Sequence, residues 1–142
     1  MQRQPDAETA TLRRVLPAVP SSVTAMRADV AGFVSTAGIA EPLLTDVKLV
    51  VSEAVTNAVM HAYVGAATPG EVRLEVSVRD DRLDVTVADD GCGMVPRLDS
   101  PGLGVGLPFI AHAADTLDIE HSVGGGTELR MSFLIPVGAD RR

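Results

Sequence analysis

Apolar and polar residues alternate more regularly across residues 71–88 than elsewhere in the chain. The apolar positions are Val72, Leu74, Val76, Val78, Leu83, Val85 and Val87. Asp80 and Asp81 interrupt the alternation near its middle. A period of two on both sides of a polar pair predicts a β-hairpin with one buried face.

Two helices are predicted before this hairpin. Ser21 and Ser22 offer an N-cap for a first helix over Val23–Thr36. A second helix is predicted to start near Pro42, because proline is tolerated in the first turn, and to extend to about Tyr63. This second helix is apolar over most of its circumference.

Shorter elements complete the pattern. Residues 9–16 predict an edge strand that stops at Pro17. A glycine-rich loop leads into a helix over 107–115, and two β segments flanking the glycines 124–126 predict a second hairpin. Two helices, a hairpin, a helix and a hairpin predict an α+β fold, a two-layer sandwich with the helices on one face of the sheet.

Composition limits the size and class of this fold. The chain has 142 residues, 46% of them hydrophobic, which fits one folded domain, predicted over residues 9–137. The polar ends, residues 1–8 and 138–142, are predicted to be disordered tails. The formal charge of -7 argues against a protein that binds nucleic acid or an anionic membrane surface, since both favour basic surfaces.

Cysteine content and hydropathy indicate the compartment. Cys92 is the single cysteine, so a disulfide framework within the chain is excluded and a reducing cytoplasm is the natural setting. The longest apolar runs are shorter than the ~18 residues of a membrane span. The polar N-terminus has no apolar core of the kind found in secretory signals. We therefore expect a cytoplasmic protein.

Three polar residues form a stripe on the second helix. Glu53, Asn57 and His61 are spaced four residues apart, so they lie turn above turn on one face. On a largely buried helix, such a stripe faces either a partner or a cavity, because burying polar groups without partners is costly. The alternative, that the stripe is the one solvated side of the helix, is equally compatible with the spacing.

Two further clusters combine polar residues with glycine. Asp89 ends the predicted hairpin and is followed by Gly91 and Gly93. In one interpretation, the glycines let a ligand approach and the aspartate accepts a hydrogen bond from it. In the other, the segment is a plain Asp-Gly turn. Residues 102–106 hold three glycines before a helix, where free amides and the helix dipole favour an anion. The loop lacks the lysine of a P-loop, and the chain lacks the βαβ unit of a dinucleotide site.

The order of these clusters is more specific than any one of them. The chain contains four motifs in this order: E-x-x-x-N on a helix, D-x-G-x-G at the end of a strand, G-x-G-x-G before a helix and G-T before a strand. This order resembles the ATP-binding domain of the GHKL superfamily, called the Bergerat fold. The resemblance spans Leu43 to Phe133. Within the superfamily, VSEAVTNAVMHAY is most similar to the bacterial anti-sigma factor serine kinases. The resemblance implies a mixed, mostly antiparallel sheet.

The resemblance also implies roles for single residues in binding and transferring phosphate. Asn57 would coordinate the Mg²⁺ that accompanies ATP, and Glu53 would act as general base toward a serine or threonine hydroxyl. The backbone of the glycine-rich loop would hold the phosphates. Its members are Gly102, Leu103, Gly104, Val105 and Gly106.

Other matched residues would bind the base or close the site. Asp89 would accept the adenine amino group, and Gly91 and Gly93 belong to the same box, with Gly93 leaving space beneath the base. Thr127 would support the adenine through its hydroxyl. His61 matches a histidine at the helix end, where a structural role near the helix C-terminus is equally plausible. Arg97 is the one cation of a short lid and would reach the phosphates or remain an exposed loop arginine.

The implied function is that of a protein serine/threonine kinase and anti-sigma factor. Such a protein sequesters a sigma factor and phosphorylates a STAS-domain anti-anti-sigma partner, and it commonly forms a homodimer. The alternative is a non-catalytic ATP-binding regulatory module of the same fold that acts only through protein–protein binding. Glu53 favours the enzyme, because a pure binding module has no evident need for a carboxylate one turn from the metal ligand.

Overall fold

A computed structural model describes residues 9–62, 70–91, 106–121 and 126–136, but not the side chains of residues 61, 62, 106 and 107. The predicted tails lie outside these ranges. The elements are β1 (Ala10–Pro17), α1 (Pro20–Thr36), α2 (Leu43–Asn57), a π-helical turn (Ala58–Ala62), β2 (Glu71–Arg79), β3 (Arg82–Asp89), α3 (Gly106–Ala113), β4 (Thr116–His121) and β5 (Thr127–Leu134).

The five strands form one sheet in the order β1-β2-β3-β5-β4. Each neighbouring pair among these strands is antiparallel, so the described sheet is antiparallel throughout rather than mixed. β1 lies at an edge, as its sequence predicts. Both predicted hairpins are present, and the α+β fold class is confirmed.

The sheet is buried on one face only. In β2 and β3 the apolar positions of the alternation are buried, and most of the polar positions between them are exposed or half-buried. The helices pack against the buried face, where α2 contacts α1, α3 and β3. Fully buried side chains at the centre of this core include Met26, Val30, Val47, Val50, Leu74, Leu83, Ile110, Met131 and Phe133. No helix in the described ranges is long and apolar enough to cross a bilayer.

The first helix starts three residues before the predicted position, so the Ser21–Ser22 cap is wrong. Pro20 occupies the first turn, where its fixed φ suits a helix, and the N-cap residue is Val19. Ser22 lies inside the helix and is buried, and its hydroxyl donates to the Pro17 carbonyl oxygen at 2.6 Å. The serine therefore ties the helix to the end of β1 instead of capping it.

The second helix does not continue as an α-helix to Tyr63. It starts at Leu43, where the Glu41 carboxylate accepts hydrogen bonds from the Thr45 amide at 2.8 Å and hydroxyl at 2.6 Å. The α-helical pattern ends at Asn57, and the π-helical turn follows. Wider turns of this kind are rare and often lie at functional sites.

Candidate functional site

Asp89 is the last residue of β3, and its carboxylate is held by backbone amides. The Gly91 amide donates to Asp89 Oδ1 at 2.9 Å, and the Thr127 amide also donates to the carboxylate. Burial raises the pKa of Asp89 above its ordinary value, an effect that these two hydrogen bonds oppose. The site therefore contains a half-buried acceptor in a fixed orientation.

The first residues of β5 lie directly beside this carboxylate. Thr127 pairs with Asp89 across the sheet and is buried, with 8% of its surface exposed. Gly126 precedes it with a φ of 98° and packs against the backbone of residues 89–90. Gly126 and Thr127 are the predicted G-T motif before a strand, but the sequence predicted a role only for Thr127. A run of three glycines before a strand is the signal that was available.

Glu53 and Asn57 lie one helical turn apart in the last turns of α2. Both residues are partly buried. The Asn57 Nδ2 atom is buried and has no hydrogen-bond partner within the described part of the chain. An unsatisfied buried N–H donor is costly, so this nitrogen fits a hydrogen-bond acceptor on a ligand. The predicted stripe thus faces the protein interior rather than open solvent at Asn57.

Packing brings the elements that carry these residues together. α2 contacts β3 and α3, and the π-helical turn also contacts β3. α3 begins at Gly106, the last residue of the predicted glycine-rich loop. One packed unit therefore contains a carboxylate and an amide on α2, the Asp89 acceptor on β3 and the amino end of α3. These groups can bind hydrogen-bond donors, a hard cation and an anion.

Several predicted site residues lie outside the described part of the chain. They are Gly93, Arg97, Gly102, Leu103, Gly104 and Val105. His61 lies in the π-helical turn, but its side chain is not described. The roles of these residues stay predictions from the sequence.

A second carboxylate next to the site was missed by the sequence analysis. Asp90 forms a bidentate pair with Arg73, with Nη1–Oδ2 and Nη2–Oδ1 distances of 2.7 and 3.1 Å. The Arg73 guanidinium holds the pKa of Asp90 below its ordinary value. Arg73 belongs to β2 and points to the face of the sheet opposite the helices. Arg73 occupies a polar position in the alternating pattern of residues 71–88, and this position is the feature of the sequence that indicates its place on the open face.

The open face of the sheet carries a groove of about 400 Å³ whose arginines already have acidic partners. The pairs are Arg13–Glu75, Arg14–Asp29, Arg73–Asp90, Arg130–Glu120 and Arg130–Glu128. These side chains are exposed to solvent, so each pair contributes little to the stability of the fold. The groove lies on the face of the sheet opposite the Asp89 side chain, which shares the helix-covered face with Leu83, Val85 and Val87.

Comparison with known families and proteins gives consistent matches. The histidine kinase-like ATPase domain family matches residues 16–133. The anti-sigma F factor of Pasteuria penetrans is 35% identical over 116 residues, which cover 74% of this chain and 77% of that protein. The serine-protein kinase RsbW of Listeria innocua is 41% identical over 76 residues, or 54% of this chain. That match spans about half, 48%, of the kinase.

Solved structures share the fold. RsbU and RsbW domains from Mycobacterium tuberculosis superpose with a TM-score of 0.72 at 22% identity, covering 89% of this chain and 33% of that one. At this identity the match establishes the fold alone. The histidine kinase domain of a blue-light activated kinase from Erythrobacter litoralis has a TM-score of 0.54 at 32% identity, covering 70% of this chain and 50% of that one.

Proposed function

Because the chain belongs to the histidine kinase-like ATPase family, and within it to the anti-sigma factor kinases, we propose that it is an ATP-dependent protein serine/threonine kinase that also sequesters a sigma factor. One observation carries the proposal. The side-chain nitrogen Nδ2 of Asn57 is buried without a partner among the described residues, and Asn57 lies one helical turn from Glu53. A stable domain needs no such pair, whereas a phosphoryl-transfer site does.

Asp89 recognises the adenine base in this proposal. Its carboxylate is half-buried and fixed by the Gly91 and Thr127 amides, so it presents an acceptor for an exocyclic amino group. A 6-oxo purine such as guanine places an acceptor there instead, and two acceptors repel. Thr127 is buried and pairs with Asp89 across the sheet, so its side chain can add a hydroxyl to the base site. Gly93 keeps the role that the resemblance implies, leaving space beneath the base.

Asn57 holds Mg²⁺ in this proposal. The ion, when bound, supplies charge neutralisation for the phosphates. The amide group of Asn57 fits a hard cation because it offers one neutral oxygen and leaves the other ligand positions to phosphates and water. The backbone amides of residues 102–106 bind the phosphates, and Arg97 and His61 add positive charge or hydrogen bonds at the edge of the site.

Glu53 acts as the general base. Its carboxylate accepts the proton of a serine or threonine hydroxyl on the partner protein, whose oxygen bonds to the γ-phosphorus while the bond to ADP breaks. One proton passes to Glu53, and ADP leaves with the electron pair of the broken bond. Transfer depends mainly on positioning, and Glu53 is positioned by the last turns of α2.

The partners follow from the relatives. The matched proteins are called an anti-sigma factor and a serine-protein kinase. We propose that this chain binds a sigma factor in its ATP-bound form and is released from it by a STAS-domain anti-anti-sigma factor, which is the kinase substrate. We also propose a homodimer in the cytoplasm that uses β1 and α1 at the interface, with no direct contact to nucleic acid or membrane.

Phosphate transfer from ATP to a STAS-domain protein tests the proposal. Glu53→Gln should lower the transfer rate by at least ~10²-fold, the usual scale for a lost general base, and leave ATP affinity within a few-fold of wild type. Asp46→Asn, near the other end of α2, is the matched control and should leave both unchanged. Equal rates for Glu53→Gln and wild type would remove Glu53 from this role. ATP binding without any transfer by the wild type would favour the non-catalytic binding module.

A further inference from the structure

We propose that Gly126 is a positioning residue for base recognition: its missing side chain lets β5 approach the end of β3 so closely that the Thr127 amide fixes the Asp89 carboxylate. This inference rests on the proposed role of Asp89 and goes one step beyond it. Gly126 does not touch the nucleotide in this account. It acts through the backbone contact between two strands.

The contact at Gly126 has no space for a side chain. A Cβ atom there would lie 2.5 Å from the Asp89 carbonyl oxygen and 3.3 Å from the Asp90 Cα atom. Both are backbone atoms at the end of β3, so they cannot turn away as a flexible side chain would. The φ of 98° at Gly126 adds a second obstacle, because L-residues rarely adopt it. Any substitution must therefore move the start of β5 away from Asp89.

Moving the start of β5 would displace a hydrogen-bond donor of the Asp89 carboxylate. Asp89 and Thr127 are paired residues of β3 and β5, and the Thr127 amide is one of two backbone donors to the Asp89 carboxylate. The other donor, Gly91, lies in the same turn as Asp89 and moves with it. Thr127 is thus the donor that ties the carboxylate to a different strand. Without this donor, the local Gly91 amide is the one backbone donor to the Asp89 carboxylate that remains within the described ranges, so the side chain is less restrained.

Gly32 provides a matched comparison in the same chain. It lies on the exposed side of α1, and a Cβ atom added there meets nothing within 4 Å. A Gly32→Ala variant thus adds the same methyl group far from the site. Alanine also has the higher helix propensity, so this control should fold at least as well as wild type.

The test measures the affinity for ATP and for purine riboside triphosphate, which lacks the 6-amino group. The ratio of the two affinities reports the hydrogen bond to Asp89 and cancels general losses of affinity. A hydrogen bond to a charged group implies a wild-type ratio of roughly 10 or more. We expect Gly126→Ala to lower this ratio at least ~5-fold and Gly32→Ala to preserve it. An unchanged ratio in folded Gly126→Ala would overturn the inference.

A second measurement keeps the inference testable if Gly126→Ala does not fold. Amide hydrogen exchange of Thr127 is compared between wild type and Asp89→Ala, with the Leu129 amide further along β5 as internal reference. We expect Thr127 to lose protection in Asp89→Ala while Leu129 keeps it. Equal protection of Thr127 in both proteins would show that its amide does not hold the carboxylate.

The two proposals fail in different ways. If wild type binds ATP and purine riboside triphosphate equally well, Asp89 does not read the amino group, and both the base-recognition role and the role of Gly126 are refuted. If wild type discriminates and Gly126→Ala discriminates equally, only the role of Gly126 is refuted.

Discussion

Asp89 and Asp90 are neighbours in the chain, yet their carboxylates lie in opposite electrostatic environments. Burial raises the pKa of Asp89, whereas the exposed pair with Arg73 lowers the pKa of Asp90. Asp89 points toward the helical layer, and Asp90 is held at the open face of the sheet by Arg73. At the end of β3, a half-buried carboxylate held by backbone amides is thus followed by an exposed carboxylate held by an arginine side chain.

This difference predicts opposite effects of pH on two neighbouring variants. A folded pKa above the ordinary value of 3.8 means that Asp89 stabilises the fold only at low pH and that this contribution is lost as pH rises through the folded pKa. Relative to wild type, Asp89→Asn should therefore gain free energy of unfolding as pH rises. Urea unfolding between about pH 3 and about pH 7 measures it.

Asp90→Asn should behave in the opposite sense. Its lowered pKa stabilises the fold above 3.8, and this contribution is lost as pH falls through the folded pKa. The variant should therefore lose up to ~1 kcal/mol relative to wild type at neutral pH, the scale of an exposed ion pair, and recover this difference in acid. Parallel pH profiles for the two variants would contradict the assigned environments.

Asn57→Ala separates function from stability. The variant removes a buried amide nitrogen that has no partner among the described residues, so the relief of this cost should offset the lost packing. We expect the free energy of unfolding to change by less than ~1 kcal/mol, while the affinity for Mg·ATP falls at least ~10-fold. A loss of stability of ~3 kcal/mol or more with intact affinity would identify Asn57 as a structural residue.

Thr127→Val tests the hydroxyl without disturbing the strand. Valine has nearly the same shape and keeps the backbone amide that Asp89 uses, so only the side-chain hydrogen bond is lost. ATP affinity should fall about 3- to 10-fold, and Thr127→Ser should restore it. Calorimetry measures the ATP affinity of both variants. An affinity that depends on side-chain volume rather than on the hydroxyl would argue against a direct or water-mediated contact with the base.

Two neighbouring residues of β5 test the sheet orientation. Phe133 is 1% exposed on the helical face and Leu134 is 55% exposed on the other face. Phe133→Ala should cost about 3–5 kcal/mol of unfolding free energy, and Leu134→Ala should change it by about 0.5 kcal/mol or less. Similar losses at both positions would indicate that the open face is covered in solution, for example by a second copy of the chain.

Local sequence patterns predict much of this architecture. The period of two in residues 71–88 predicts the β2–β3 hairpin, because a one-residue shift in register would expose the apolar side of the shifted strand. The stripe of Glu53 and Asn57 follows from helical spacing and predicts which face of α2 forms the site. These predictions needed only residues that are close in the chain.

The features that the sequence did not predict depend on contacts between distant residues. Ser22 looked like a helix cap, but its hydroxyl binds the Pro17 carbonyl because Pro20 starts the helix earlier. The change to a π-helical turn at Ala58 has no local signal. Gly126 belongs to the predicted G-T motif, but its close contact with Asp89 has no local signal, because it exists only after β5 pairs with β3.

Binding of Mg·ATP to the purified protein, measured by calorimetry with Mg·GTP as the comparison, tests the central claim most directly. We expect a single site that prefers ATP over GTP at least ~10-fold, with the preference lost in Asp89→Asn. The absence of ATP binding, or equal affinity for ATP and GTP in the wild type, would contradict the account of this site as the nucleotide site of a protein kinase.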